Sequence, residues 1–173
     1  FRPRKSATEA LEAIRKAGNQ GYNFVVDADI VSYFDSINRE KLEQLLEKRI
    51  SDRRVLKLLR QWLESGVMEE GKVKTATAGT PQGGVISPLL ANIYLNELDR
   101  EWEREHKHLG ILVRYADDFV VMCKSASQCR EAYKRIEHIL EGLGLRLHPE
   151  KTHQVDMRYG KESFIFLGCT LRK

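Results

Sequence analysis

Two adjacent carboxylates, Asp117 and Asp118, are the residues of this chain whose types and spacing most directly suggest chemistry. The apolar run 110–113 leads toward them and the run 119–123 leads away, which predicts strand, tight turn and strand, with both acids at the tip. A turn that only reverses the chain more often uses Asn-Gly or Asp-Gly, because adjacent carboxylates repel each other. The pair therefore suggests bound divalent cations, and a solvated acidic turn is the alternative.

Two further acids, Asp27 and Asp29, lie on a predicted strand over residues 22–30. Strand alternation puts both carboxylates on one face, so spacing alone does not choose between them. If this strand neighbours the predicted hairpin, Asp29 and Asp117 project from the same edge of a sheet. Two metal ions about 3.5–4 Å apart could then assist phosphoryl transfer, and carboxylate oxygens favour Mg²⁺ over Zn²⁺. The alternative for Asp29 is an ordinary acid that ends a strand.

The elements that must position these acids are predicted from helix caps and from alternating apolar residues. Helices are predicted over five segments that begin at polar caps: Ser6 to Gly18, Asn38 to about Lys48, Asp52 to Gly66, Ser87 (with Pro88 as the first helical residue) to about Glu105, and Ser125 to 142–144. Hairpins are predicted at 67–78 and 164–171, with a short strand at 145–147. This order indicates one α+β domain with a mainly antiparallel sheet.

Length and composition are those of one ordinary globular domain. The chain has 173 residues, of which 42% are hydrophobic and 31% charged. No apolar run approaches the ~18 residues of a membrane span, and no secretory signal is expected. A net charge of +4 permits a polyanionic partner without requiring one. Because the chain begins at Phe1 and not at Met, we expect it to be part of a longer protein.

Three cysteines, Cys123, Cys129 and Cys169, show no paired spacing, and their odd number argues against a disulfide framework. Reduced thiols are usual in the cytoplasm, so a cytoplasmic protein is expected. Cys123 and Cys169 lie in apolar runs and are expected to be core residues.

Four sequence blocks, taken in order, carry a resemblance to a known family. They are DIVSYFD at 29–35, GTPQGGVISP at 79–88, YADD at 115–118, and LGL at 143–145 with PEK at 149–151. The second and third blocks are highly specific, and FRP at 1–3 and FLG at 166–168 extend the match over essentially the whole chain. The chain resembles the palm of a reverse transcriptase, most closely those encoded by bacterial group II introns. One departure is Arg4-Lys5 after the first triplet, where family members usually have a small residue.

The resemblance implies an α+β polymerase palm with a mainly antiparallel sheet packed against helices. Residues 1–173 would form this palm, with a small part of the fingers at 1–22. Most of the fingers, which grip the triphosphate, and the thumb, which holds the duplex, are expected outside this chain. The isolated fragment is therefore expected to hold primer, template and nucleotide poorly.

The resemblance also implies a site for two Mg²⁺ ions, with Mn²⁺ as a substitute. Asp29 and Asp117 would be the principal ligands, Asp118 would complete the acidic set, and the Ile30 carbonyl would assist. Lys151 matches a lysine that protonates the departing pyrophosphate. The alternative for Lys151 is an unremarkable exposed lysine.

Four further residues would bind the incoming nucleotide. The backbone amides near Ser32 and Tyr33 would face its triphosphate. Phe34 matches a steric gate whose ring leaves no room for a 2′-hydroxyl, and an ordinary core phenylalanine is the alternative. Gln82 would contact nucleotide or template from the loop at 79–84, whose glycines allow the backbone to approach a nucleic acid closely.

These assignments imply an RNA-directed DNA polymerase that transfers a nucleotide from a dNTP to a DNA primer on an RNA template. Intron RNA is a further candidate partner, and no membrane partner is expected. One alternative is an RNA-binding or maturase-type structural module without polymerase activity as an isolated fragment. Another is a polymerase that makes RNA or adds nucleotides without a template. An intron, a retron, a CRISPR-associated fusion or a phage-defence system could use this palm, and the sequence leaves the oligomeric state open.

Overall fold

The computed structural model describes residues 6–64, 67–69, 72–74 and 86–173. Its helices are α1 (Ala7–Asn19), α2 (Tyr33–Ser36), α3 (Arg39–Glu47), α4 (Arg53–Glu64), α5 (Ser87–Glu101) and α6 (Ala126–Gly142). Its strands are β1 (Phe24–Ala28), β2 (Val67–Glu69), β3 (Lys72–Lys74), β4 (Ile111–Tyr115), β5 (Asp118–Cys123), β6 (His153–Asp156), β7 (Phe164–Phe166) and β8 (Cys169–Leu171). A π-helical turn, Trp102–His106, continues α5 toward β4.

Three helices begin at the caps that the sequence predicts. At the start of α1, the Ser6 hydroxyl accepts a hydrogen bond from the Glu9 amide at 3.2 Å, and the Glu9 carboxylate accepts one from the Ser6 amide at 2.8 Å. The Asn38 side chain caps α3, and the Ser125 hydroxyl caps α6. These three predictions are confirmed. Such caps can be predicted from the sequence because each capping side chain bonds to an amide only three residues away.

Three other boundaries differ from the predicted ones. Ile86 is the N-cap of α5, so Ser87 lies one position later than expected and is buried in the first turn. Strand β1 ends at Ala28 and is shorter than predicted. The short strand expected near residue 145 is reduced to one antiparallel bridge, between Ile30 and Leu147.

Strand β1 lies inside a four-stranded sheet whose order is β4-β5-β1-β6. Each neighbouring pair is antiparallel, with Val26 opposite Val121 of β5 and opposite Gln154 of β6. Strands β2 and β3 form a separate hairpin, as do β7 and β8. The prediction of a mainly antiparallel sheet is therefore confirmed for the part of the chain that the structure describes.

The sheet has two apolar faces because successive side chains of a strand point to opposite sides. One face packs against α3, α5 and α6 in a cluster that includes Val26, Ala28, Leu45, Tyr94, Leu98, Phe119, Val121, Ile136 and Leu140. The other face packs against α1 and the β7–β8 hairpin in a cluster that includes Ile14, Ala17, Val25, Val120, Met122, Phe164 and Phe166. Alternation therefore assigns Asp27, Asp29 and Asp118 to the face that α1 covers.

Replacing Gly110, just before β4, by Ala should lower the free energy of unfolding by about 2 kcal/mol. A Cβ atom there would lie 2.5 Å from the Met122 carbonyl oxygen and 2.8 Å from Cys123 Sγ, so the β4–β5 hairpin would have to shift. Urea denaturation measures the loss. Gly142→Ala is the matched control, since its Cβ would meet nothing within 4 Å, and that variant should be at least as stable as the wild type.

The structure shows where the three cysteines lie and whether any described helix could cross a membrane. All three cysteines are free thiols, with Cys123 and Cys129 buried and Cys169 exposed. The expectation of a core position for Cys169 is wrong, because among the described residues β8 pairs with β7 alone, and Cys169 is exposed at the start of β8. Among the described residues, no helix combines the length and the apolar character needed to cross a bilayer.

Candidate active site

The register of β1 against β5 brings two of the predicted acids together. The ladder ends at the pair formed by Ala28 and Phe119. One more step in the same register sets Asp29 opposite Asp118 at that end of the sheet. Two segments that are far apart in sequence therefore supply carboxylates to one place.

Asp117 lies in the turn between β4 and β5. Tyr115 and Asp118 form the closing pair of this hairpin, so Ala116 and Asp117 are the two central residues of the turn. Ala116 has a φ of 57°, in the left-handed region, where a residue with a Cβ atom costs about 1–2 kcal/mol. The prediction that both acids lie at the tip is therefore correct for Asp117 and wrong for Asp118, which pairs with Tyr115 as the first residue of β5.

The proximity of the acids changes their protonation. Burial raises the pKa of the Asp118 carboxyl, and the charges of Asp117 and Asp29 raise it further. Burial also raises the pKa of Asp27 to about 6; the cross-strand neighbour His153 opposes this shift, and Asp118 and Asp29 add to it. A cation bound among these groups would relieve the repulsion.

Replacing Asp27 by Asn should stabilise the metal-free protein near pH 7 and change it little near pH 4. The pKa of Asp27 is about 6 in the folded state and about 3.9 in an unfolded chain, so the folded state binds more protons between these values. Wild-type stability therefore falls as pH rises through this window, and the variant lacks that loss. Urea denaturation in the presence of a chelator measures it. Equal stabilisation at about pH 4 and about pH 7 would contradict the assignment.

The segment after α6 holds Asp29 from the other side of β1. The His148 amide donates to the Asp29 carbonyl at 2.8 Å, and the Thr152 hydroxyl donates to the same carbonyl at 3.3 Å. The Lys151 ammonium lies 3.4 Å from Asp29 Oδ2. This ion pair is largely exposed and contributes little to stability, but it puts a proton donor beside the predicted ligand.

Ile30 directs its backbone carbonyl toward the acids. The hydrogen bonds of its bridge with Leu147 come from the flanking residues: His148 amide to Asp29 carbonyl, and Val31 amide to Arg146 carbonyl. In such an antiparallel pair, the central residue points its own carbonyl away from the bridge partner. The Ile30 carbonyl therefore faces the side on which β5 and Asp117 lie.

The chain turns at Ser32, which has a φ of 42° and is the N-cap of α2. The amides of Asp35 and Ser36 donate to the Ser32 carbonyl at 3.0 Å, whereas the amides of Tyr33 and Phe34 open the helix and have no acceptor within it. The Tyr33 hydroxyl donates to the Ala91 carbonyl at 2.5 Å and ties this turn to α5. The amides that the sequence predicts to face a triphosphate thus belong to an anchored turn.

A pocket of about 150 Å³ adjoins the acidic turn. Its lining residues come from α2, α5 and the β4–β5 turn: Tyr33, Phe34, Pro88, Ala91, Asn92, Ala116 and Asp117. The Phe34 ring lies 5.5 Å from the Tyr33 ring at an angle of 56° and packs partly against the core. Phe34 therefore borders both the apolar core and the pocket that contains Asp117.

Arg114 lies beside the acidic turn but is absent from the predicted site residues. Its side chain is 2% exposed and donates hydrogen bonds to Asp99, Asn92 and the Ala116 carbonyl. The sequence does indicate that Arg114 is buried. Alternation along β4 puts it on the same face as Leu112, which packs against the cluster formed with α3, α5 and α6, and a buried arginine requires hydrogen-bond acceptors. The identity of those acceptors depends on how α5 packs, which the local sequence does not indicate.

Gln82 and the loop at 79–84 lie outside the residues that the structure describes, as do residues 1–3. Their roles stay predictions. The other predicted site residues lie at the acidic end of the sheet or beside the adjoining pocket.

The donors at this end of the sheet fit a hard divalent cation. Asp29, Asp117 and Asp118 offer carboxylate oxygens, and Ile30 offers a carbonyl. The pKa of Asp118 is raised first by burial and then by the charges of Asp117 and Asp29. Within the described ranges, no three His, Cys, Asp or Glu side chains converge closely enough to enclose an ion by themselves. This arrangement suits Mg²⁺, which commonly takes one or two carboxylates and completes its shell with substrate phosphates and water.

Comparison with known proteins places the chain in a family. The family model described as reverse transcriptase (RNA-dependent DNA polymerase) matches residues 1–171. Protein YkfC of Escherichia coli is 33% identical over 207 residues, covering 99% of this chain and 54% of YkfC. The group II intron-encoded protein LtrA of Lactococcus lactis is 40% identical over 100 residues, covering 58% of this chain and 16% of LtrA. The chain thus spans about half the length of YkfC and a smaller share of LtrA.

Solved structures share the fold. A truncated apo telomerase from Candida tropicalis gives a TM-score of 0.73 at 18% identity, covering 96% of this chain and 38% of that chain. A telomerase from Candida albicans gives 0.71 at 17% identity, covering 96% and 33%. The predicted α+β palm, with an antiparallel sheet packed against helices, is confirmed. These likenesses show the fold, and the family match over residues 1–171 shows that the chain belongs to the reverse transcriptase (RNA-dependent DNA polymerase) family.

Proposed function

We propose that this chain is the palm of an RNA-directed DNA polymerase of the group II intron type, with residues 1–22 contributing to the fingers. The proposal is carried by the meeting of three parts: the end of β1 with Asp29, the β4–β5 turn with Asp117, and the pocket that Phe34 borders. Carboxylates beside this pocket suit the phosphates of a nucleotide whose charge is offset by cations. Family membership supports the same reaction.

In this reaction the primer 3′-hydroxyl attacks the α-phosphate of a dNTP, the bond from the α-phosphorus to the bridging oxygen breaks, and pyrophosphate leaves. Two Mg²⁺ ions, or Mn²⁺ in their place, stabilise the attacking and leaving oxygens when bound. Asp29 and Asp117 would hold them, with Asp118 and the Ile30 carbonyl as further oxygen donors. These residues would also keep the primer 3′-hydroxyl and the α-phosphate of the dNTP at the same end of the sheet.

Other residues bind and orient the nucleotide. The amides of Ser32 and Tyr33 face its triphosphate, and Phe34 lies under the sugar, where its ring excludes a 2′-hydroxyl. Lys151, which forms an ion pair at the acidic end, donates a proton to the departing pyrophosphate. Gln82 contacts the nucleotide or the template.

The partners follow from the reaction. An RNA template and a DNA primer supply the sequence by base pairing, and basic side chains contact their phosphates, in line with the net charge of +4. Intron RNA is a further partner in this proposal. The three free thiols support a cytoplasmic setting.

Primer extension by the full-length protein tests the proposal. A DNA primer annealed to an RNA template should be extended with dNTPs in Mg²⁺, and a chelator should abolish the product. Retained RNA binding without extension would instead identify an RNA-binding module. Extension without a template, or faster extension with ribonucleotides, would identify a different polymerase.

A further inference from the structure

Arg114 joins the acidic turn to α5 through four hydrogen bonds. Its Nε and Nη2 atoms donate to the two carboxylate oxygens of Asp99 at 2.8 and 2.5 Å. Its Nη1 atom donates to Asn92 Oδ1 at 3.0 Å and to the Ala116 carbonyl at 2.6 Å. Only 2% of the Arg114 side chain and 18% of the Asp99 side chain are exposed, so water competes little for these bonds.

The same network reaches the pocket that Phe34 borders. The Asn92 side-chain amide donates to the Pro88 carbonyl at 3.0 Å, and both residues line that pocket. Ala116 and Asp117, from the β4–β5 turn, line the same pocket. One guanidinium group therefore connects the α5 wall of the pocket to the turn that carries Asp117.

The turn depends on such an attachment because of its backbone conformation. Ala116 has a φ of 57°, which residues with a Cβ atom adopt rarely. Its carbonyl belongs to the peptide unit that links Ala116 to Asp117, so a change in the ψ angle of Ala116 would move both this carbonyl and the Asp117 residue that follows it. The hydrogen bond from Arg114 fixes the orientation of this peptide unit.

We propose that Arg114 is a positioning residue for nucleotide transfer: anchored by Asp99 and Asn92, it holds the Ala116–Asp117 peptide unit and thereby keeps Asp117 beside the pocket. This inference rests on the proposed polymerase function. Lysine cannot replace Arg114, because a single ammonium lacks the planar fork that serves a carboxylate and two further acceptors at once.

The test compares Arg114→Lys, and the milder Asp99→Asn, with the wild type at full length. Arg135→Lys is the matched control, since it alters an exposed ion pair with Glu131 on α6. After thermal unfolding has shown which variants fold, two experiments are made below their melting temperatures. The first is Mn²⁺ binding, followed by electron paramagnetic resonance in a complex with dNTP and a dideoxy-terminated primer, which cannot react. The second is kcat and KM for dNTP in primer extension.

For Arg114→Lys we expect an increase of about tenfold in the half-saturating Mn²⁺ concentration and a decrease of about tenfold in kcat, with a smaller change in KM. Asp99→Asn should shift both quantities in the same direction by a smaller factor. Arg135→Lys should match the wild type in both.

Two outcomes overturn the inference in distinguishable ways. If the wild type extends primers, and the folded Arg114 and Asp99 variants keep its metal affinity and kcat, Arg114 has only a structural role, whatever their melting temperatures. In that case the proposed function stands. If the wild type itself neither binds Mn²⁺ nor extends a primer, the proposed function fails and the inference falls with it.

Discussion

Asp117→Asn should reduce dNTP incorporation on an RNA template by roughly a thousandfold or more, while the protein stays folded. The amide preserves the size of the side chain but removes the charge that the turn presents beside the pocket. Single-turnover primer extension measures the loss. Asp118→Asn should have a smaller effect, because Asp118 begins β5 and lies outside the residues that line the pocket.

Asp117→Asn should reduce activity, but it should not reduce the stability of the folded protein. The Asp117 charge contributes to the raised pKa of Asp118, which means that the two carboxylates repel each other in the folded state. Without divalent cations, Asp117→Asn should therefore melt at the same temperature as the wild type or higher, at pH values well above about 3.9, where carboxylates ionise in an unfolded chain. Loss of activity combined with unchanged or increased stability separates a chemical role from a folding role.

A matched control for Asp117 exists in the same sheet. Asp156→Asn changes a carboxylate at the opposite end, where Asp156 pairs with Phe24 and forms an exposed ion pair with Arg158. This variant should keep wild-type incorporation. Full activity of Asp117→Asn would remove the two-metal proposal.

Phe34→Ala should lower the preference for dNTP over the matching ribonucleotide on the order of a hundredfold. The ring borders the pocket beside Asp117, and its removal enlarges the space in which the sugar would lie. The ratio of kcat/KM values for the two nucleotides on one primer–template measures the change. The ratio should change mainly through improved use of the ribonucleotide.

Tyr159→Ala provides the control for the loss of an aromatic ring. Tyr159 is 80% exposed and follows β6, at the end of the sheet away from the acids. Its removal should leave the nucleotide preference unchanged. An unchanged ratio in Phe34→Ala as well would refute the gate and leave Phe34 as a residue of the pocket wall.

The elements of this fold are predictable where their causes are local. The capping box of Ser6 and Glu9 specifies the start of α1 because both of its hydrogen bonds join residues three apart. The β4–β5 hairpin is equally local, and two apolar runs predict it. Its closing pair, Tyr115 and Asp118, is not predicted, because the runs leave five residues between them. The family resemblance added the expectation that Asp29 lies beside the acids of this hairpin. Short-range sequence patterns alone leave that contact open.

The remaining features depend on contacts between distant segments. Arg114 binds Asp99 and Asn92 because α5 packs along the hairpin, and no signal near Arg114 specifies that packing. Cys169 illustrates the same limit, since an apolar run does not reveal whether a two-stranded hairpin is covered on one face or both. The acceptors of a buried arginine and the exposure of a hairpin residue are therefore decided by tertiary packing.

The central position of β1 has a consequence for the synthesis of the protein. Phe24 pairs with residues about 100 and about 130 positions further along the chain, Cys123 and Asp156. At a translation rate of about 5–20 residues per second, β1 therefore waits roughly 5 to 25 seconds for its neighbours. During that time the nascent chain presents an apolar strand with two unpaired edges, a species prone to aggregation. Nascent chains that end before β5 would keep both edges of β1 unpaired, and chains that end between β5 and β6 would keep one, so the catalytic end of the sheet forms only after Asp118 has been synthesised.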